Sequence, residues 1–287
     1  MNKNSEQSLI RDKAAAGDGQ SAVVESVVER GVEVWQNQKS SSSVDNIINE
    51  VAVALVYNGV SHAVMMATPL NLEAFALGFS LTEGIVDCAA DIYEIQVDSI
   101  DEGIEVSVTI SSQCFARLKD KRRNLSGRTG CGICGAESLQ QVHLSLSKVI
   151  ADFCISHEAI DRATRDLNNH QPLQELTGAT HGAAWCNVEG KQLLVCEDVG
   201  RHNALDKLVG LLLSQELISQ EGFLLISSRA SYEILQKSAM ANIGIVVAMS
   251  APTSLAIDIA DQTGITLIGF SRENRHVVYS NSARLLS

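Results

Sequence analysis

The last hundred residues switch regularly between short apolar runs and segments with helical spacing, and this alternation limits the fold more than any other feature. Apolar runs at 193–196, 223–227, 244–249 and 265–270 are separated by helical stretches at 203–213, 231–241 and 254–262, and a last run covers 277–279. Such alternation predicts an α/β layer on a largely parallel sheet, because a helical crossover lets successive strands run the same way. Leu224-Leu225-Ile226 and Ile245-Val246-Val247 are apolar without a break. Strands of that pattern are covered on both faces, so helices are expected above and below the sheet.

The first half has a different pattern. Runs at 51–57 and 60–67 flank Asn58-Gly59, a pair suited to positive φ at both turn positions, and predict a hairpin. Thr68-Pro69 suits a helix start, and Leu72, Phe75 and Phe79 give one apolar face to about residue 83. A second hairpin is expected at 92–97 and 104–110, around Asp101-Glu102-Gly103, and then a helix over about 113–122. Four glycines mark 123–135 as a loop, with helices expected from about 137 and over 156–169. Residues 1–45 are rich in Ser, Asn, Gln, Glu and Lys and predict a mobile arm. Residues 46–135 then form a smaller, hairpin-rich α+β part ending in the loop, and 136–287 an α/β part with a pocket.

Charge and hydropathy exclude some roles. With 34 acidic and 22 basic residues the net charge is −12, which argues against nucleic acid as a partner. Apolar runs are too short to span a bilayer, so no membrane association is expected. The first residues carry no continuous apolar segment of the signal-peptide kind, and the expected compartment is the cytoplasm.

Seven cysteines, an odd number irregularly spaced, make a poor disulfide framework. Cys131 and Cys134 stand apart, at C-x-x-C spacing among Gly127, Gly130, Gly132 and Gly135. Glycines leave room for another molecule to approach the sulfurs. Five of the ten residues from Lys119 to Arg128 are basic, and nearby positive charge favours the nucleophilic thiolate. Other roles stay open at this point. The pair could be half of a zinc site completed by His143, His157 or Cys154, a thioredoxin-like dithiol, or two chance thiols. The other five cysteines are assigned to packing.

Ligands of an open parallel sheet bind beyond the carboxyl ends of its strands. There the sequence is polar, with Arg201 and Arg229 beside helix starts that favour anions, and Arg272 and Arg275 after the last strand of the four. Ser, Thr and Asn at these places are equally ordinary helix caps. Neither a Walker A motif nor a G-x-G-x-x-G is present. His181 and His202 are each candidates for chemistry, though a lone histidine is more often structural.

Arg128-Thr129-Gly130-Cys131-Gly132-Ile133-Cys134-Gly135 resembles the signature of the FdhD/NarQ family. The resemblance extends to Glu197-Asp198-Val199-Gly200-Arg201-His202-Asn203-Ala204-Leu205-Asp206-Lys207, to Ser227-Ser228-Arg229 and to Ser250-Ala251-Pro252-Thr253-Ser254-Leu255-Ala256, covering the chain from about Ile47. It implies a sulfur carrier required for formate dehydrogenase activity, with a sulfurtransferase-type persulfide intermediate. Such a carrier accepts sulfane sulfur from a cysteine desulfurase and passes it to the molybdenum bis-molybdopterin guanine dinucleotide before that cofactor enters the enzyme. The persulfide position matches Cys131, and Cys134 the supporting thiol. The cofactor-binding stretch matches Phe270, Ser271, Arg272, Glu273, Asn274 and Arg275. The resemblance further implies a homodimer and a three-layer fold like that of cytidine deaminases. Gly130 stands where the zinc deaminases have proline before the cysteine, so shared fold does not imply deamination. A zinc-stabilised cofactor-binding chaperone and a dithiol oxidoreductase are the competing functions.

Overall fold

The computed structural model describes residues 26–126 and 146–286. The loop with Cys131 and Cys134, and the helix expected from 137, lie outside the described residues. The described residues open with an antiparallel hairpin, β1 (Val27–Gln36) and β2 (Lys39–Ile48). Next come β3 (Val51–Tyr57), β4 (Val60–Ala67), α1 (Leu72–Thr82), β5 (Ile92–Ile100), β6 (Gly103–Ile110) and α2 (Ser112–Ser126). From residue 146 onward follow β7 (Ile155–Ser156), α3 (His157–Asp166), α4 (Pro172–Thr177), β8 (His181–Asn187), β9 (Gln192–Asp198), α5 (Arg201–Ser214) and β10 (Gly222–Ile226). The chain continues with α6 (Tyr232–Met240), β11 (Ile245–Ala248), α7 (Ser254–Thr263), β12 (Thr266–Arg272), β13 (Arg275–Ser280) and β14 (Leu285–Leu286).

Two sheets organise these elements. The smaller has the order β4-β3-β6-β5, and the larger β13-β12-β11-β10-β8-β9. The larger sheet corrects the expectation of a largely parallel one. β10, β11 and β12 run parallel, whereas β8, β9 and β13 are joined antiparallel. The physical reason is connection length: β8 turns directly into β9 and β12 into β13, and a tight turn can only reverse the chain. β8 has the sequence His181-Gly182-Ala183-Ala184-Trp185-Cys186-Asn187, too small in its side chains to stand out as a strand.

The mobile arm expected over residues 1–45 is corrected for its described part, while residues 1–25 lie outside the described residues. Residues 27–48 pair over ten registers from Val27↔Ile48 to Gln36↔Lys39. Asn37 and Gln38 take φ of 52° and 62°, the turn that two-residue hairpins prefer. Gln is an uncommon occupant of that conformation, so the sequence carries no clear turn signal there. Asn58-Gly59 behaves as expected, with φ of 45° and 77° between β3 and β4. The helix after it starts at Leu72, not at Pro69. Asn71, with φ 54°, sets the start.

Both faces of the larger sheet are buried. Phe223, Leu225, Ile245, Val247 and Ile268 point to one side, where Ile160, Ala163 and Leu167 cover them. Leu224, Ile226, Val246, Ala248 and Leu267 point to the other, against Leu205, Leu208, Ile234 and Ala260. The same core continues through α1 into Val53, Leu55, Val106 and Val108 of the smaller sheet. α1 and α5 meet almost main chain to main chain. A Cβ at Gly78 would fall 1.8 Å from the Asp206 carbonyl oxygen, and one at Gly210 equally close to that of Ala74.

Candidate functional site

The carboxyl ends of β10, β11 and β12 open on a cleft of about 420 Å³. Ser227 follows β10, Met249 follows β11, and Arg272 ends β12. β8 runs the opposite way and so contributes its first residue, His181, to the same edge. Gln171, Gln174 and Thr180, from around α4, form another wall.

The polar groups are arranged unevenly. Gln171 is 2 % exposed, and its Nε2 has no hydrogen-bond partner among the described residues. A Cβ at residue 182 would lie 2.4 Å from that nitrogen, so Gly182 makes room for the amide. Ser227 Oγ accepts the Gly182 N–H at 2.9 Å. Burial foremost, and then the charges of Arg201 and His202, hold the His181 imidazole below its usual range, while Asp198 pulls the other way. His181 is therefore a neutral imidazole at neutral pH. Arg272 donates from Nη1 to the carbonyls of Met249 and, at 2.8 Å, of Ser271.

The six residues from Phe270 to Arg275 divide by direction. Arg272 reaches the cleft. Ser271 is fully buried, with Oγ 2.6 Å from Thr164 Oγ1. Asn274 has φ 58° and donates its N–H to Asp161 Oδ1 at 2.7 Å. Phe270 is 40 % exposed and holds φ 50°, an uncommon conformation for an aromatic residue. Glu273 and Arg275 are exposed.

The long block from Glu197 to Lys207 proves to be mostly framework. Glu197 accepts the N–H groups of Leu173 and Gln174 at 2.9 and 2.7 Å and the Thr180 hydroxyl at 2.9 Å. It thereby caps α4, the wall of the cleft. Asp198 and Lys207 form a fully buried ion pair at 2.6 Å. Asp206 pairs with Lys237 at 3.0 Å, and Lys237 with Glu83 at 2.6 Å. Arg201 and His202 both turn to Glu233, at 3.8 and 2.6 Å. Of the four strand-end arginines, Arg272 lines the cleft, and Arg229 and Arg275 are exposed. Thr253 is a cap, accepting the Ala256 N–H. Gln171, Gln174 and Thr180 escaped sequence reasoning because they precede the strands whose ends were searched.

Several thiols can be placed. Cys114, Cys186 and Cys196 are buried, as assigned, but Cys88 and Cys154 are exposed, so packing does not account for those two. Burial pushes the Cys186 thiol far up and that of Cys196 up to about 12, which leaves both as inert thiols. His157, a candidate zinc ligand in the sequence, is paired with His276. Among the described residues Asp87, Asp91 and Cys114 bring their ligand atoms within 4.8 Å of one another. Arg117 already sits there, 2.7 Å from Asp87 and 3.3 Å from the Cys114 sulfur.

A family model described as FdhD/NarQ family matches residues 48–286. The chain belongs to the FdhD/NarQ family. It is 50% identical over 272 residues to the sulfur carrier protein FdhD of Cupriavidus necator, covering 95% of this chain and 93% of that one. It is 51% identical over 237 residues to the sulfur carrier protein FdhD of Acinetobacter baylyi, covering 82% and 86%. A crystal structure from Desulfotalea psychrophila, described as a formate dehydrogenase accessory protein, superposes with a TM-score of 0.71 at 24% identity, covering 91% and 99%. That likeness shows the fold. Among the described residues of this FdhD/NarQ family member, no helix is long and apolar enough to cross a membrane.

Proposed function

We propose that this chain is a sulfur carrier serving formate dehydrogenase, with Cys131 as the atom that carries. The observation behind this reading is the Cys131-Gly132-Ile133-Cys134 pair in a basic, glycine-rich stretch of a chain half identical to named sulfur carriers. The Cys131 thiolate attacks the outer sulfur of a desulfurase persulfide. The donor's S–S bond breaks, the donor leaves as a thiolate, and Cys131 holds the persulfide with its proton. For delivery, the Cys134 thiolate attacks the inner sulfur of Cys131. A disulfide forms, hydrosulfide is released toward the molybdenum, and a dithiol reductant restores the pair.

The cargo on this reading is molybdenum bis-molybdopterin guanine dinucleotide, held at the turn formed by residues 270–275. The cleft suits a nucleotide end. Arg272 offers a planar cation for phosphate, Gln171 an unused amide donor, and His181 a neutral ring beside them. A homodimer, a cytidine-deaminase-like arrangement and a cytoplasmic location complete the reading.

Two measurements test it. Intact-mass analysis after incubation with a cysteine desulfurase and cysteine should show one added sulfur, absent in Cys131→Ala. One zinc per chain in the purified protein, with no sulfur gained, overturns the proposal. Arg272→Ala should weaken binding of guanosine diphosphate about tenfold or more, the usual scale for a lost charge-assisted hydrogen bond. Equal affinities by calorimetry move the nucleotide elsewhere.

A further inference from the structure

Helix α3 is fastened to the β12–β13 turn by a single row of side chains. His157, Asp161 and Thr164 stand four and then three residues apart, so they share one helix face. Each meets a different part of the hairpin. Thr164 bonds the Ser271 hydroxyl at 2.6 Å, and Asp161 accepts the Asn274 N–H at 2.7 Å. His157 Nδ1 lies 2.7 Å from His276 Nε2, with the rings stacked at 4.9 Å between centroids.

The histidine contact differs from the other two in kind. A hydrogen bond between two imidazole nitrogens needs one N–H and one bare nitrogen, so at least one ring must be neutral. With both rings charged, two N–H groups would face each other across 2.7 Å. We propose that His157 and His276 are positioning residues of the ligand-holding turn, joined by one shared proton, and that charging both rings lets the turn go. This rests on the reading that residues 270–275 hold the nucleotide end of the cargo.

The surrounding charges decide where release falls. On α3, Glu158 follows His157 in the chain, and Asp161, itself 3.3 Å from Arg165, acts on His276. On the hairpin, Arg275 is exposed beside His276. Burial, and after it the charge of His157, keeps the His276 imidazole below its ordinary 6.5, with Asp161 opposing. A closed-state value below the free one means that the open turn binds the proton better. The contact is therefore at full strength above about pH 6.5 and weakens as pH falls through that value.

The test compares wild type with His157→Asn, whose side-chain oxygen still accepts from His276 Nε2–H but carries no charge. Hydrogen exchange at the Asn274 amide, corrected for its intrinsic pH dependence, should quicken severalfold in wild type from pH 7.5 to 5.5, because the open turn binds the proton better. In His157→Asn it should quicken clearly less, because burial still disfavours a charged His276 but no second ring can be charged. No quickening in wild type, or the same quickening in both proteins, overturns the proposal. Guanosine diphosphate affinity should fall over the same range more steeply in wild type than in the variant, a comparison from which the nucleotide's own titration cancels. Parallel affinity profiles with divergent exchange overturn the positioning role. Divergent exchange with no nucleotide bound at any pH leaves the clamp standing and removes the pocket reading instead.

Discussion

Lys207→Met is expected to lower the unfolding free energy by about 3–5 kcal/mol, the range for breaking a buried ion pair from one side. Lys207 and Asp198 are both fully buried, with their charged atoms 2.6 Å apart. Methionine fills most of the volume, so the loss comes from charge and not from a cavity. The Asp198 carboxylate would keep the N–H groups of Thr68 at 3.0 Å and Gly200 at 2.8 Å and the Asn203 amide at 2.9 Å, but no cation. The Thr68 carbonyl would lose its 2.8 Å bond from Nζ. Burial pushes the Lys207 amine down, against the upward pull of Asp198, so the pair persists because neither group has water to turn to. Urea titration of the variant measures the loss. Adding Asp198→Asn should cost less than a second independent change, since it removes the stranded charge. A Lys207→Met midpoint within error of wild type would mean that the pair contributes nothing to folding.

Gly210→Ala should be nearly as damaging. Helix propensity alone would make it favourable by about 1 kcal/mol. Packing reverses the sign, because the new Cβ would lie 1.8 Å from the Ala74 carbonyl oxygen and 2.6 Å from its carbon. The atoms met are main chain and cannot rotate away, so α1 and α5 would have to separate. Overpacking of that kind costs about 3 kcal/mol or more. Gly78→Ala strains the same crossing through Asp206, and the two changes together should fall short of their sum. Thermal unfolding of the three variants decides the point, and a Gly210→Ala protein as stable as wild type would contradict the close approach.

Much of the fold was legible because the signals are local. Asn58-Gly59 marks its turn through backbone preference, and the unbroken apolar runs around Leu225 and Val246 mark strands buried on both faces. The hairpin of β1 and β2 was not legible, since Asn37 and Gln38 form its turn without a glycine. The antiparallel β8 was not legible either, because Gly182, Ala183 and Ala184 interrupt the bulky apolar run that marks a strand. The site was read in part. Arg272 was correctly placed at a strand end, whereas Ser271 turned inward to Thr164, a residue 107 positions away.

Sequence alone determined the α/β class and the polar strand ends, because periodicity and turn preference depend on near neighbours. Tertiary structure decided which polar residues face ligand and which hold the frame. Glu197, Asp198 and Lys207 resemble site residues in one dimension, yet their partners Leu173, Thr68 and Asp198 arrive from other elements and consume their hydrogen bonds. Gln171 looks unremarkable in the chain, and folding leaves its Nε2 buried at the wall of the cleft with no partner among the described residues. A side chain's role follows from what remains unsatisfied after packing, and that remainder exists only in three dimensions.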